Sequence, residues 1–224
     1  MLAFYRSTVG KKIIMAVTGL IWVGFVILHM AGNLQAFLGA EKLNNYAAML
    51  HGPLEEVVWL QRVLLFTALV LHVMMAYQLT RRAAIARPVG YKTRDPQVST
   101  ISSRTMRWGG VFILVFLVFH ILHFTTRNID PAGAAGRFDA AGRFDLYGDV
   151  VGSFRIWWVM AIYVTAMIAL GFHLWHGAWA SIRTLGYAKP SDNPLKRRIA
   201  AGLASLVWIG FITVPIAVFL GFIK

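Results

Sequence analysis

Five apolar runs, near residues 12–37, 57–82, 106–127, 155–183 and 198–223, dominate the chain. Each is long enough to cross a ~30 Å hydrocarbon core at ~1.5 Å of helix per residue. In lipid the backbone must satisfy its own hydrogen bonds, and uninterrupted apolar runs of this length do so as helices. The expected fold is therefore an all-α integral membrane protein, a bundle of five transmembrane helices forming a single domain over residues 1–224. Composition agrees, with 58% apolar and 14% charged residues. Between the runs lie Gly52-Pro53, Arg87-Pro88, Asp95-Pro96, the Gly/Ala/Asp-rich stretch from Asp130 to Gly152, Lys189-Pro190 and Asn193-Pro194, all read as loops. Lys11-Lys12 before the first run would also suit a signal peptide, but the run continues to Ala36 without a convincing cleavage site, so it is expected to stay as a span.

The charge, +13 overall, is distributed as topology requires and not as a nucleic-acid surface, since the basic residues flank apolar spans without interleaved aromatics. Fifteen of the 22 basic residues, among them Arg6, Lys11, Lys12, Arg81, Arg82, Lys92, Arg94, Lys189 and Arg197, fall on one face against only Asp95 and Asp192. By the positive-inside rule that face is cytoplasmic, the N-terminus inside and the C-terminus outside. The chain has no cysteine, which excludes disulfides, thiolate-ligated or covalently attached haem, and an iron-sulfur cluster held by this chain itself.

Histidines inside the apolar runs carry the chemistry. An imidazole in hydrocarbon is costly unless something binds it. His72 lies nine residues before Arg81 and His173 ten before Arg183, so the two share a depth ~14 to 15 Å from the cytoplasmic helix ends. His120, seven residues before Arg127, and His29, six before Gln35, share a depth near the outer face. Two depth-matched pairs on four helices fit two six-coordinate haems, one in each half of the bilayer. His123 and His176 each follow one of these ligands by three residues, and depth alone excludes neither as the alternative ligand. Counting from the helix ends puts both nearer the interface, where a propionate, a quinone or water would bond them. The ligands lack the carboxylates of a di-iron site and the clustering of a zinc or copper site. Gly24, Gly109, Gly110, Gly171 and Gly177 suit a macrocycle approaching the backbone, and suit close helix contacts equally well.

Across nearly its whole length the chain resembles the five-helix, dihaem cytochrome b membrane anchor of the succinate:quinone oxidoreductases that occur with menaquinone in many bacteria. The resemblance rests on Leu28-His29-Met30-Ala31-Gly32-Asn33-Leu34, Leu71-His72, Val118-Phe119-His120 and, most specifically, Gly171-Phe172-His173-Leu174-Trp175-His176-Gly177-Ala178-Trp179 followed by Ser181. It implies His29 with His120 on the outer haem b and His72 with His173 on the cytoplasmic one. It further implies a location in the bacterial inner membrane. A flavoprotein and an iron-sulfur subunit would be the partners, and electrons would pass to menaquinone. This chain would not be an enzyme by itself, having no flavin or nucleotide fold.

Candidate propionate partners are Arg81, Arg104 and Arg107 inside and Gln35 and Arg127 outside, any of which would also serve as a snorkelling or topology residue. A quinone is sought near Tyr5, Arg6, Ser7, Trp108 and Trp179, where aromatics also anchor a helix at the interface. An outer quinone site would use His51, Glu55 or Glu56, the last two being equally suited to the positive N-terminal end of the second span. Two other readings are the cytochrome b subunit of a hydrogenase or formate dehydrogenase, and a small transporter or proton channel whose histidines relay protons.

Overall fold

A computed structural model describes residues 2–89, 99–134, 136–188 and 194–224. Lys92, Arg94, Asp95-Pro96, Lys189-Pro190, Asp192 and Asn193 lie outside the described residues. Among those described, eight α-helices form: α1 Leu2–Arg6, α2 Thr8–Leu34, α3 Ala40–His51, α4 Glu55–Ile85, α5 Ile101–His120, α6 Leu146–Phe154, α7 Trp157–Thr184 and α8 Pro194–Phe219. Five of them, α2, α4, α5 (continued by a π-helical turn at Ile121–Thr125), α7 and α8, are long and apolar enough to cross a membrane. The five runs are thus helices whose bounds shift by a few residues from those expected, and α2 and α5 begin earlier than expected, at side-chain caps. Ser7 Oγ accepts from the Gly10 amide at 2.8 Å to open α2, and Thr100 Oγ1 from the Ser103 amide at 3.2 Å to open α5.

Two stretches expected to be loops are helical. Asn44 explains why α3 and α6 form, because its fully buried amide ties them together. Its Nδ2 donates to Asp139 Oδ2 at 3.2 Å and Asp145 Oδ1 at 3.0 Å, while its Oδ1 accepts from the Tyr147 amide at 2.9 Å. Asp145 also caps α6 through the Gly148 amide at 2.9 Å. Short amphipathic helices of this kind are stabilised by contacts distant in sequence, which propensity cannot reveal. Between them a tight turn, bridged at Phe138 and Phe144, is closed by the Asp139–Arg143 ion pair at 2.7 Å. Hydrogen bonds from Arg143 hold the Asp139 carboxyl down at about 2.

Helix α2 is central, packing on α4, α7 and α8, while α7 also packs on α5 and α8. Few side chains on the spans are fully buried, and large apolar ones such as Leu28, Leu60, Phe66 and Val115 are exposed, as they should be where the surroundings are lipid. Helix ends gather into two poles. At the N-terminal pole α1 meets the end of α4: Arg82 donates to the Arg6 carbonyl at 2.7 Å, and Gln78 donates to the Tyr5 hydroxyl at 3.2 Å. At the other, capped pole α3 and α6 sit over the bundle, with Val151, Phe154, Val159, Tyr163, Val214 and Val218 in one buried cluster.

Gly210 permits the close crossing of α2 and α8, since a Cβ there would overlap the Met30 side chain. Gly210→Leu is expected to cost ~1 to 3 kcal/mol by overpacking and to lower the melting temperature in detergent. Gly202→Leu, at a position with open space on the same helix, should leave it unchanged.

Candidate functional site

The four intramembrane histidines meet in two pairs. The His29 and His120 rings lie 5.7 Å apart, centre to centre, and the His72 and His173 rings 6.2 Å apart. Two imidazoles bonded to opposite sides of one metal atom through ~2 Å bonds have centres roughly 6 Å apart, so either spacing suits a shared iron. The pairs occupy different levels. His72 touches α2 at Met15, Thr18 and Gly19, all at least ten residues before His29. On α7, Tyr163 contacts His120 ten residues before His173. Both helices therefore put the levels ~15 Å apart.

Hydrogen bonds decide which ring nitrogen is free. His72 Nδ1 lies 3.0 Å from the Met15 carbonyl. A carbonyl only accepts, so Nδ1 carries the proton and Nε2 keeps its lone pair for a metal.

His120 is governed by a longer chain of hydrogen bonds. Ser153 donates to the Asp149 carboxylate and accepts from His123 Nε2 at 3.0 Å. His123 Nδ1 then accepts from the Tyr163 hydroxyl at 3.0 Å, and that oxygen accepts from His120 Nδ1 at 3.2 Å. Read from the carboxylate, this order leaves His120 Nε2 unprotonated.

The donor set at each level, two imidazoles that can each be neutral, would suit the iron of a haem. Three buried nitrogens, His173 Nδ1, Trp22 Nε1 and Arg127 Nε, have no hydrogen-bond partner among the described residues. A Cβ at Gly19 would come within 3.2 Å of His72 Cε1, so a glycine there lets the ring lie against the backbone. Gly110 is near His173, whereas Gly171 serves the packing of Trp208, and Gly24, Gly109 and Gly177 face open space.

The alternative ligands differ. His123 is 2% exposed with both nitrogens engaged, bonded to Tyr163 and Ser153 where an interface partner was expected. His176 is half-buried, one turn beyond His173.

Among the propionate candidates Arg81, Arg104 and Arg107 are exposed, and Gln35 is half-buried at the end of α2. Arg127 lies over the Phe144 ring and 3.7 Å from Asp149.

Of the quinone candidates, Ser7 caps α2, and Tyr5 and Arg6 are held by Gln78 and Arg82. Trp108 is exposed, and Trp179 lies under Arg183. At the capped pole His51 bonds its own helix at the Ala47 carbonyl, and Glu55 and Glu56 occupy the first turn of α4.

Sequence reasoning missed Lys11, Tyr163, Ser153 and Asp149. Lys11 is 3% exposed, bonded to Gln78 and seated 4.1 Å over the Tyr5 ring. It is a buried cation at the N-terminal pole, where charge counting sees only a topology signal. Asp149 is 3% exposed, its Oδ2 without a hydrogen bond, and burial pushes its carboxyl up to about 6 despite Arg127. A lone acid among Val150, Val151 and Tyr147 was the available signal.

No family model, curated protein or solved structure matches the chain. The Asp149 environment generates a test of its own. A carboxyl raised to about 6 in the folded state disfavours folding progressively as pH rises from about 4 to about 6. Asp149→Asn should therefore raise the melting temperature at pH 7 to 8, by at most a few kcal/mol in stability, and change it little at about pH 4. Equal destabilisation at both pH values would contradict this account.

Proposed function

We propose that this chain is the dihaem cytochrome b anchor of a succinate:quinone oxidoreductase in a bacterial cytoplasmic membrane, passing electrons from an iron-sulfur subunit to menaquinone. The carrying observation is the meeting of four histidines from four helices as two ring pairs at two levels. Haem b at each pair would supply reversible one-electron chemistry. His29 and His120 hold one haem and His72 and His173 the other. The Met15 carbonyl and the Tyr163 hydroxyl orient His72 and His120, and the surrounding apolar side chains exclude water. The basic N-terminal pole, taken as cytoplasmic, is where the iron-sulfur and flavoprotein subunits would dock, and Lys11 joins the candidates for a propionate there.

The choice of succinate rests on the motif resemblance around His29 and His173. A hydrogenase or formate dehydrogenase cytochrome b would use similar pairs, and the enzyme subunit that co-purifies decides between them. The proton-relay reading has one observation in its favour, the chain from His120 to Asp149. An optical spectrum separates it, because a channel would show no b-type bands.

A pyridine haemochrome assay on the purified complex should give two b haems per chain. His72→Ala and His173→Ala should remove the same haem, and His29→Ala and His120→Ala the other. His176→Ala and His123→Ala should leave both low-spin signals. One haem, or none, in the unsubstituted chain would refute the two-pair arrangement.

Succinate oxidation with a soluble dye should stay largely intact in His29→Ala and His120→Ala, since a dye draws electrons before the membrane arm. Loss of dye activity together with membrane attachment in every variant would make these histidines structural. Quinone reduction in the same two variants locates the working quinone site. A strong loss in an assembled complex places it at the capped pole, and near-normal rates place it beside the other haem.

A further inference from the structure

We propose that Asp149 is a redox-linked proton-binding site, taking up a proton from the aqueous phase at the capped pole when the haem held by His29 and His120 gains an electron. The inference rests on the dihaem reading above and goes beyond it, because nothing in ligand pairing requires a proton. Its basis is the unbroken line of contacts from the carboxylate to a proposed iron ligand: Asp149, Ser153, His123, Tyr163, His120. A buried carboxylate oxygen without a hydrogen bond stands at one end of that line, next to a partly exposed arginine that marks the way to water.

Polarity along the line gives the sign of the coupling. An ionised Asp149 draws the Ser153 proton, which strengthens the pull of Ser153 on His123 Nε2–H and makes His123 Nδ1 more basic. Tyr163 then donates more strongly, and its oxygen pulls harder on His120 Nδ1–H. A histidine ligand with a more withdrawn Nδ1 proton carries more negative charge and favours oxidised iron. Reduction reverses the preference and favours the carboxylic acid. The exchange balances: one electron enters from the iron-sulfur donor, or from dithionite in a test, and one proton binds Asp149. The net charge of the pole is then unchanged.

The charged surroundings leave Asp149 poised for this change. Arg127 faces it at 3.7 Å and favours the carboxylate, while Asp130 and Asp145 oppose it. From the elements packed on α6, α7 contributes Tyr163 and α3 contributes Asn44 through Asp145, with Glu41 and Lys42 exposed. His123 approaches through Ser153, and α8 carries no ionisable side chain between Ala200 and Phe219. Burial already brings the carboxyl to about 6, so the charge of one added electron moves it through neutrality.

The test is a spectroelectrochemical titration of the complex with both haems bound, between about pH 5 and 9. The haem in question is identified as the one lost in His29→Ala. Its potential should be flat below about pH 6 and fall as pH rises above it. Asp149→Asn should abolish the slope and raise the potential at alkaline pH, leaving the other haem unchanged. Ser153→Ala, which keeps the carboxylate but cuts the chain, should weaken the slope. Should Asp149→Asn fail to assemble, reduced-minus-oxidised infrared spectra of the unsubstituted protein with isotope-labelled aspartate decide the matter, the expected result being a carboxylic acid carbonyl gained on reduction. A pH-independent potential, an unaltered slope in Asp149→Asn, or no aspartic acid signal overturns the inference while the haem assignment stands. Absence of b-type bands would remove the dihaem reading and this inference together.

Discussion

An imidazole inside hydrocarbon has two nitrogens to satisfy, and for His72 and His120 the bundle supplies a partner for one of them. His72 gives its Nδ1 proton to a backbone carbonyl one helix away, Met15, in the central helix α2. His120 gives its proton to Tyr163, the head of a side-chain relay. In both rings the other nitrogen is left with a lone pair, and a second histidine ring lies about 6 Å away. Such bonds are worth more where water cannot compete, and leaving them unmade would be expensive. They fix helix rotation as well as ligand chemistry. If α4 turned so that His72 lost Met15, or α7 so that Tyr163 left His120, the paired rings would separate.

The two levels differ in what surrounds them. The level of His72 and His173 lies nearer the basic pole, with a carbonyl, a threonine and two glycines against the rings. The level of His29 and His120 is lined by Phe25, Phe116, Phe124 and Phe211 and lies next to the polar cap. Identical ligands in different dielectric surroundings acquire different potentials, by the same physics that tunes a carboxyl. An electron-transfer subunit of the proposed kind needs such a difference between its centres.

The cap formed by α3 and α6 also explains an otherwise costly buried acid. Asp149 sits on a helix whose start is fixed by Asp145 and whose packing is fixed by Asn44 and the cluster around Phe154. Its position follows from that packing, so it cannot swing to solvent. A charge held in place where it is poorly solvated is responsive to nearby charge, which is why this position is the one proposed to link a proton to an electron.

The five spans were legible in the amino-acid order, because apolar length alone sets membrane crossing. So was the depth of each histidine, because helical rise is constant and the charged ends mark the interfaces. Depth placed His29 level with His120 and His72 level with His173, whose rings lie close together in the bundle, but it left His123 and His176 open. Tertiary packing settled what periodicity cannot encode: that His123 is tied to Tyr163 and Ser153, that Lys11 is buried and bonded to Gln78, and that residues 40–51 and 146–154 are helices. Each depends on partners tens of residues away, such as Asn44 with Asp139 and Asp145. A hydrogen bond between distant residues leaves no local pattern. Rise per residue and hydrophobic length are local properties of a helix, whereas the company a polar side chain keeps is set only when the helices pack.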